Sequence, residues 1–217
     1  MLGITLGREP LGPLRILCLG AHSDDIEIGC GGTVLRLLSE REGCSVHWVV
    51  FSSDLLRERE ARASAAEFLA QAGRATVVAK TFRESYFPAV WPDIKDFFED
   101  IKRDVDPDLV LSHHRNDVHQ DHRVVAELTW NTFRNHVIME YEIPKFEGDL
   151  GTPNVFVPLA RVFAERKVEL LLKHFGSQAS RTWFRSDTFH GLMSVRGVEC
   201  NAPDARAEAF HVRKLIM

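Results

Sequence analysis

Short apolar runs alternate with helix-patterned segments over the first two thirds of the chain, and this alternation constrains the fold more than any other feature. The apolar runs predict buried strands, which occupy residues 14–20, 45–52, 76–79 and 109–112. The segments between and after them carry apolar residues at helical spacing, which predicts helices over 33–42, 54–72, 94–105 and 121–135. Strands that alternate with helices predict an α/β fold, with a mainly parallel sheet and helices on both faces.

The last third of the chain predicts a smaller, mixed C-terminal part. Strands are expected over 137–143 and 154–157, followed by a helix over 159–175. Residues 176–217 show no regular pattern before an expected final strand over 210–216. A length of 217 residues fits one domain, so we expect residues 1–217 to form a single unit.

The composition is that of an ordinary globular protein, with 45% hydrophobic and 27% charged residues. The formal net charge of −4 argues against non-specific nucleic-acid binding, because such binding needs a basic surface. No run reaches the roughly 18 apolar residues of a membrane-spanning helix, and the first twenty residues lack the pattern of a signal peptide. The four cysteines form no CxxC pair, which favours a reducing compartment, so we expect a cytoplasmic location.

A first cluster of polar residues, His22-Ser23-Asp24-Asp25, follows the first predicted strand. An imidazole and a carboxylate three positions apart suit a zinc site that takes its third ligand from elsewhere. A carboxylate that is not bound to the metal can accept a proton from a water molecule, so two adjacent aspartates make chemical sense. The alternative is structural, since Ser and Asp are also common in turns and helix caps.

A second cluster covers residues 113–122 and holds four of the ten histidines. His119 and His122 are three positions apart and can face one site, and Asp121 between them can orient an imidazole through its other ring nitrogen. The carboxyl ends of parallel strands meet at one edge of a sheet, so we expect the two clusters to converge there. The alternative is a solvated loop rich in helix-capping residues.

Three other functions fit parts of this pattern. The glycines between Gly29 and Gly32 precede a predicted helix, but they lack the GxGxxG spacing of a dinucleotide loop, and two carboxylates just upstream would repel a pyrophosphate. A metal-dependent phosphoesterase has similar Asp/His clusters, yet a two-metal site needs more bridging carboxylates than the sequence offers. A non-catalytic sugar- or metal-binding module remains an alternative, although it would be expected to lose the base.

These motifs resemble those of the PIG-L/LmbE-like zinc-dependent N-deacetylases. Residues 21–25 with the following glycines are similar to the family's AHPDD…G-GG opening, and residues 117–122 to its D-x-H-x-DH motif. Weaker similarities are Arg57-x-x-Glu60, Arg196-Gly197 and residues 207–210 (AEAF). The resemblance spans most of the chain.

The resemblance implies a Rossmann-like fold and one zinc ion per chain, or another divalent metal, held by His22, Asp25 and His122. It implies Asp24 as the general base. It also implies His119, oriented by Asp121, as the electrophile or acid beside the substrate carbonyl, and it places Arg57 at the substrate. The expected reaction is hydrolysis of the N-acetyl group of an N-acetylglucosamine-type conjugate, with release of acetate and a free amine. The expected partner is this small molecule and no nucleic acid, and a homo-oligomer is left open.

Two departures from the family pattern affect the expected site. Ser23 stands where the family usually has proline, which leaves the predicted ligands intact. The stretch from His174 to Gln178 carries one residue more than the family's H-x-SQ, so the sequence does not assign His174 a role.

Overall fold

The alternating pattern forms a seven-stranded sheet with six α-helices in the computed structural model, which describes residue 6 and residues 12–216. The strands are β1 Arg15–Gly20, β2 Ser45–Val50, β3 Arg74–Ala79, β4 Leu109–His113, β5 Val137–Tyr141, β6 Val155–Pro158 and β7 Ala207–His211. The helices are α1 Asp25–Glu40, α2 Leu55–Phe68, α3 Trp91–Asp104, α4 Gln120–Thr132, α5 Arg161–His174 and α6 Ser186–Glu199. The predicted α/β class is confirmed.

The strand order is β3-β2-β1-β4-β5-β7-β6, with β1 to β5 parallel and β7 antiparallel to both of its neighbours. The chain moves outward from β1 to β3 and then returns to the other side of β1 with β4. The order therefore reverses between β1 and β4, and a crevice opens at such a point at the carboxyl ends of the strands. Both polar clusters lie there, as the sequence predicts.

Two hydrophobic cores cover the two faces of the sheet. One packs α1, α2, α5 and α6 against the sheet and includes Trp48, Tyr141 and Phe210. The other lies under α3 and α4 and includes Phe51 and Phe98, whose rings stack at 5.1 Å. Side chains that alternate along each central strand supply both layers, which explains the near-continuous apolar runs in the sequence.

Helix α1 begins earlier than the sequence predicts. The expected helix started at Thr33 after a polar turn, but the helix runs from Asp25 and contains the glycines. A Cβ atom at Gly29 would overlap the Tyr141 ring, and one at Gly31 would lie 2.6 Å from Phe68 Cε1. The glycines therefore allow the helix to approach the sheet and α2 closely, and this close approach outweighs their low helix propensity.

The C-terminal third also differs from the prediction. Residues 186–199 form helix α6, which the sequence analysis missed, and the last strand covers 207–211 rather than 210–216. Helix α6 has a weak apolar pattern because only one narrow side is buried, at Phe189, Met193 and the Arg196-Gly197 step.

Two buried ion pairs attach this C-terminal part to the rest. Lys167 Nζ lies 2.6 Å from Glu208, whose carboxylate also accepts backbone N–H groups of α1. Arg196 binds Glu142 just after β5 at 2.6 Å. The residues that resemble the family's RG and AEAF motifs thus hold the framework together.

The expectation that residues 1–217 form a single domain stays a prediction. The expected lack of a signal peptide concerns mostly residues 1–5 and 7–11, which lie outside the part of the chain that the structure describes.

Candidate active site

The predicted metal ligands lie in or just before the first turns of two helices that start at the switch point. His22 lies in the turn between β1 and α1 and Asp25 opens α1, while His122 lies in the first turn of α4. Adjacent β1 and β4 deliver these loops to the same crevice. All three side chains are nearly buried.

Three atoms of these residues form a compact triangle. His22 Nδ1 lies 3.3 Å from Asp25 Oδ2 and 3.2 Å from His122 Nε2, and His122 Nε2 lies 3.6 Å from Asp25 Oδ2. Ligand atoms around a tetrahedral zinc ion are roughly 3.3 Å apart, because each lies about 2.0–2.2 Å from the metal. The triangle therefore fits a divalent cation with one or more open positions.

Each imidazole of the triangle is held through its other nitrogen by a carboxylate. His22 Nε2 lies 3.1 Å from Asp121 Oδ2, and His122 Nδ1 lies 2.9 Å from Asp117 Oδ2. Carboxylates in this position fix the ring orientation of metal-binding histidines. The sequence analysis gave Asp117 no role, although it lies five residues before His122, in the motif that it quoted.

The prediction that Asp121 orients His119 is wrong. The Asp121 carboxylate turns to His22 and to the backbone N–H groups of Ser85 and Phe87. The hydrogen bond between Asp121 and His119 uses the backbone of Asp121, whose N–H group donates to His119 Nδ1 at 3.3 Å. Asp121 is the second residue of α4, where the backbone N–H group has no partner within the helix and points towards the capping side chain of His119. The Asp121 side chain points into the protein instead.

His119 therefore caps α4 with its side chain and also faces the site. Its ring centroid is 5.0 Å from that of His22 and 4.5 Å from that of His122. Because Nδ1 accepts the helix N–H group, the neutral ring carries its hydrogen on Nε2. Burial and the charge of His22 lower the pKa of His119, which favours this neutral form.

Asp24 is almost fully buried beside the triangle. Arg57 at the start of α2 donates from Nη2 to Asp24 Oδ1 at 2.6 Å, whereas Asp24 Oδ2 has no hydrogen-bond partner among the described residues. The side chain makes no capping bond to α1, unlike a carboxylate whose role is to cap the helix. Burial raises the pKa of Asp24, while the Arg57 charge opposes this rise.

The surrounding charges make the triangle favourable for a cation. Burial lowers the pKa of His22, but Asp25 and Asp121 outweigh it and the pKa rises to about 10. Burial and neighbouring His113 lower the pKa of His122 to about 3, so its ring is a neutral donor. Although burial opposes it, the nearby histidines hold the pKa of Asp25 well below its usual range. The candidate metal donors are thus the Asp25 carboxylate, the neutral His122 ring and the His22 ring. The His22 ring lies where neighbouring carboxylates stabilise a positive charge.

A fourth histidine, His113, lies against the same group; the sequence analysis counted it in the second cluster but gave it no role. It is fully buried, accepts the Ala21 N–H group at Nε2, and stacks on His122 with ring centroids 4.0 Å apart. Its Nε2 lies 3.2 Å from Asp25 Oδ2. The available signal was its position, since His113 ends a buried strand and opens the second polar cluster.

The predicted substrate residue Arg57 has its guanidinium group on Asp24, and its contact with substrate stays a prediction. His174 lies elsewhere, paired with Glu67 of α2 at 2.9 Å. Glu60, the other residue of the Arg57 motif, accepts the Ser177 backbone and hydroxyl groups. Those residues join α2 to the turn after α5.

The stretch of chain that carries these His and Asp residues matches a known family. The model of the PIG-L family, described as GlcNAc-PI de-N-acetylase, matches residues 17–133, a span that includes both clusters. The chain belongs to the PIG-L family. A PIG-L relative, the uncharacterized deacetylase YaiS of Escherichia coli K12, is 28% identical over 171 residues, which cover 73% of this chain and 89% of YaiS.

Solved structures share the fold of this PIG-L protein. The conserved protein TT1542 from Thermus thermophilus has a TM-score of 0.75 at 18% identity, covering 94% of this chain and 96% of that one. N,N'-diacetylchitobiose deacetylase from Pyrococcus horikoshii has a TM-score of 0.67 at 19% identity, covering 92% and 83%. The 4-carboxy-2-hydroxymuconate hydratase GalB from Pseudomonas putida KT2440 has a TM-score of 0.73 at 17% identity, covering 94% and 98%. Because these named activities differ, the shared fold alone does not decide the reaction.

Proposed function

We propose that this PIG-L protein is a zinc-dependent N-deacetylase, which hydrolyses the acetamide of an N-acetylglucosamine-type conjugate to acetate and a free amine. The observation that carries the proposal is the triangle of His22 Nδ1, Asp25 Oδ2 and His122 Nε2 beside the unpartnered Asp24 Oδ2. Mixed nitrogen and oxygen donors with an open position suit a catalytic zinc ion, one per chain. Another divalent cation with the same ligands is the alternative.

When bound by His22, Asp25 and His122, the metal supplies Lewis-acid polarisation of the amide carbonyl and lowers the pKa of a coordinated water. Asp24 takes the proton of the attacking water at its free Oδ2 atom. Arg57 holds the other oxygen of Asp24 and so fixes the direction of the free one. Its positive charge also favours the ionised carboxylate that a base requires.

His119 stabilises the oxygen on which negative charge develops. Its Nδ1 atom is occupied by the Asp121 N–H group, so the neutral ring donates from Nε2. The positive end of the α4 dipole disfavours a charged imidazole at this cap, which supports a neutral donor rather than the imidazolium expected from a general acid. The proton taken by Asp24 is then the one delivered to the leaving amine.

The substrate class rests on the family description and on relatives whose names state a deacetylase activity. No helix among the described residues is both long and apolar enough to cross a membrane. We propose a cytoplasmic protein that acts on a small amino-sugar conjugate, with no nucleic-acid partner.

The test is acetate release from a panel of N-acetylglucosamine conjugates, including nucleotide-linked and lipid-linked ones. The protein is depleted of metal, reloaded with zinc and assayed beside Asp24→Asn. We expect release that depends on zinc and is lost in the variant. Two metal ions per chain with phosphate release from phosphate esters would instead identify a phosphoesterase. Metal binding without hydrolysis of any acetamide would identify a binding module.

A further inference from the structure

A second pocket lies on the flank of α4, on the face of the sheet that carries α3 and α4. It has a volume of about 390 Å³, within the usual range for small-ligand pockets. The loop after β4, the end of α4 and the chain after β7 line it with Arg115, Trp130, Asn131, Arg134, Arg213 and Lys214. We name it the α4 pocket.

Four of these six residues are cations, although the chain as a whole has a net charge of −4. None of the four forms an ion pair with a carboxylate within the part of the chain that the structure describes. Some arginines outside the pocket are paired, such as Arg15 with Asp106 and Asp108. Like charges that gather without a counter-charge repel one another, so this arrangement favours an anion.

A buried carboxylate below the α4 pocket pairs with no cationic side chain of the pocket. Glu140 is fully buried, and its oxygens accept from the Trp130 indole, the His114 ring and the Arg115 backbone N–H group. These bonds satisfy Glu140 without using a cationic side chain of the pocket. They also fix the Trp130 ring and the start of the Arg115 side chain.

The remaining cations are held in place by neutral contacts. The Arg213 guanidinium lies 4.5 Å from the centre of the Trp130 ring, which is a cation–π contact. Lys214 Nζ donates to the Arg134 backbone carbonyl at 2.7 Å, and the Arg134 side chain donates to the Asn131 carbonyl at 3.0 Å. The cations are therefore partly ordered, which reduces the entropy that a ligand must remove on binding.

We propose that the α4 pocket binds the phosphate group of a small, soluble phosphate ester. A phosphate carries close to two negative charges and several acceptor oxygens, which matches arginines that donate in pairs better than a single carboxylate does. The proposal is independent of the deacetylase function, because Trp130 lies eight residues beyond the candidate ligand His122, roughly 12 Å along α4.

The experiment is calorimetric titration of the full chain with inorganic phosphate, pyrophosphate and glycerol 1-phosphate at low salt. We expect saturable binding at one site, weakened at least about tenfold in the double variant Arg115→Gln/Arg213→Gln, a loss of about 1.4 kcal/mol. The control is Arg181→Gln/Arg185→Gln, which removes the same charge from exposed positions outside the α4 pocket. Quenching of tryptophan fluorescence by the ligand, lost in Trp130→Phe, locates the binding.

Four results would overturn the proposal. The first is no saturable binding by the parent chain up to about 10 mM, weaker than any specific site. The second is an equal loss in both double variants, which would show a general charge effect. The third is binding that persists in Arg115→Gln/Arg213→Gln but disappears on metal removal, which would assign the phosphate to the candidate metal site. The fourth is binding only to vesicles of phosphatidylcholine with phosphatidic acid, which would identify a lipid headgroup.

If the double variant unfolds, the single variant Arg115→Gln takes its place in the titration, because Arg115 is exposed at the pocket rim.

Discussion

At the scale of single residues, the candidate site assigns different tasks to neighbours of the same chemical type. Asp24 and Asp25 are adjacent, yet one oxygen of Asp24 is free and Asp25 lies among three histidines. His119 and His122 are three positions apart at the start of α4, yet one caps the helix and the other faces Asp25. The contacts of each side chain, rather than its type, separate the proposed base, ligand and donor.

The two aspartates give the sharpest test of these tasks. Asp24→Asn should retain metal and lower kcat by roughly 10²–10⁴, because the amide cannot accept the proton. Asp25→Asn should lose metal first, because the amide removes an anionic ligand. Elemental analysis and acetate release on the same samples measure both effects. If Asp24→Asn empties the site while Asp25→Asn leaves it filled, the two roles are reversed.

The contact between Asp121 and His22 predicts that Asp121 acts on the metal rather than on His119. Asp121→Asn should lower metal affinity by about 10–100-fold, because the His22 ring loses its anionic partner. His119→Ala should retain metal and lower kcat by about 10²–10³ if the ring is an oxyanion donor. Competition with a chelator measures affinity, and assays at saturating zinc measure kcat. Unchanged zinc affinity in Asp121→Asn, or near-parental kcat in His119→Ala, would contradict these assignments.

At the scale of elements, the glycines of α1 set how closely this helix packs on the sheet. Gly29 faces Tyr141, whose hydroxyl group donates to the Leu19 carbonyl at 2.6 Å behind the site. A side chain at this position would push α1, and Asp25 with it, away from the strand ends. The position of Asp25 in the candidate site therefore depends on helix packing.

Gly29→Ala should lower the free energy of unfolding by about 1–3 kcal/mol, because the added methyl group overlaps a buried ring. Gly191→Ala in α6 is the matched control, since nothing lies within 4 Å of its added Cβ atom. That exposed helical position should gain about 0.4–1 kcal/mol. Denaturant unfolding of both variants measures the difference. Equal stability of the two variants would contradict the close packing of α1.

At the scale of the whole molecule, β7 joins the end of the chain to the strands that carry the site. His211 at the end of β7 pairs with Glu140 of β5 and stacks on His114 with ring centroids 3.7 Å apart. Arg196 on α6 binds Glu142 just after β5. The C-terminal part thus supports the loops at the carboxyl ends of β4 and β5.

This contact predicts a loss of stability in mild acid. Burial and the charge of His114 lower the pKa of His211 from 6.5 to about 4. Below pH 6.5 the unfolded chain takes up a proton that folded His211 does not, so stability present above pH 6.5 is lost as the pH falls towards 4. The difference is on the order of 1 kcal/mol, since His211 is half-buried and partly screened. His211→Gln should lose less stability between pH 7 and 5 in urea unfolding; an unchanged difference would contradict the shifted pKa.

The sequence by itself determined the fold class and the region of the site. Apolar runs and helical spacing are local patterns, so they predict β1 to β5 and the helices α2 to α4 between them. Strand direction then brings the clusters after β1 and β4 to one edge. Local patterns failed at α1, where glycines normally end helices, and at α6, where a narrow buried side gives a weak period.

Only the tertiary structure decided which partner each site residue contacts. His22 and His122 are 100 positions apart, Asp121 is 99 from His22, and Asp24 is 33 from Arg57. Such contacts depend on how helices and loops pack around the sheet, and packing at these distances leaves no periodic trace in the chain. For the same reason, the sequence suggested Asp121 for the adjacent His119, whereas the folded chain directs that carboxylate to a histidine from another strand end.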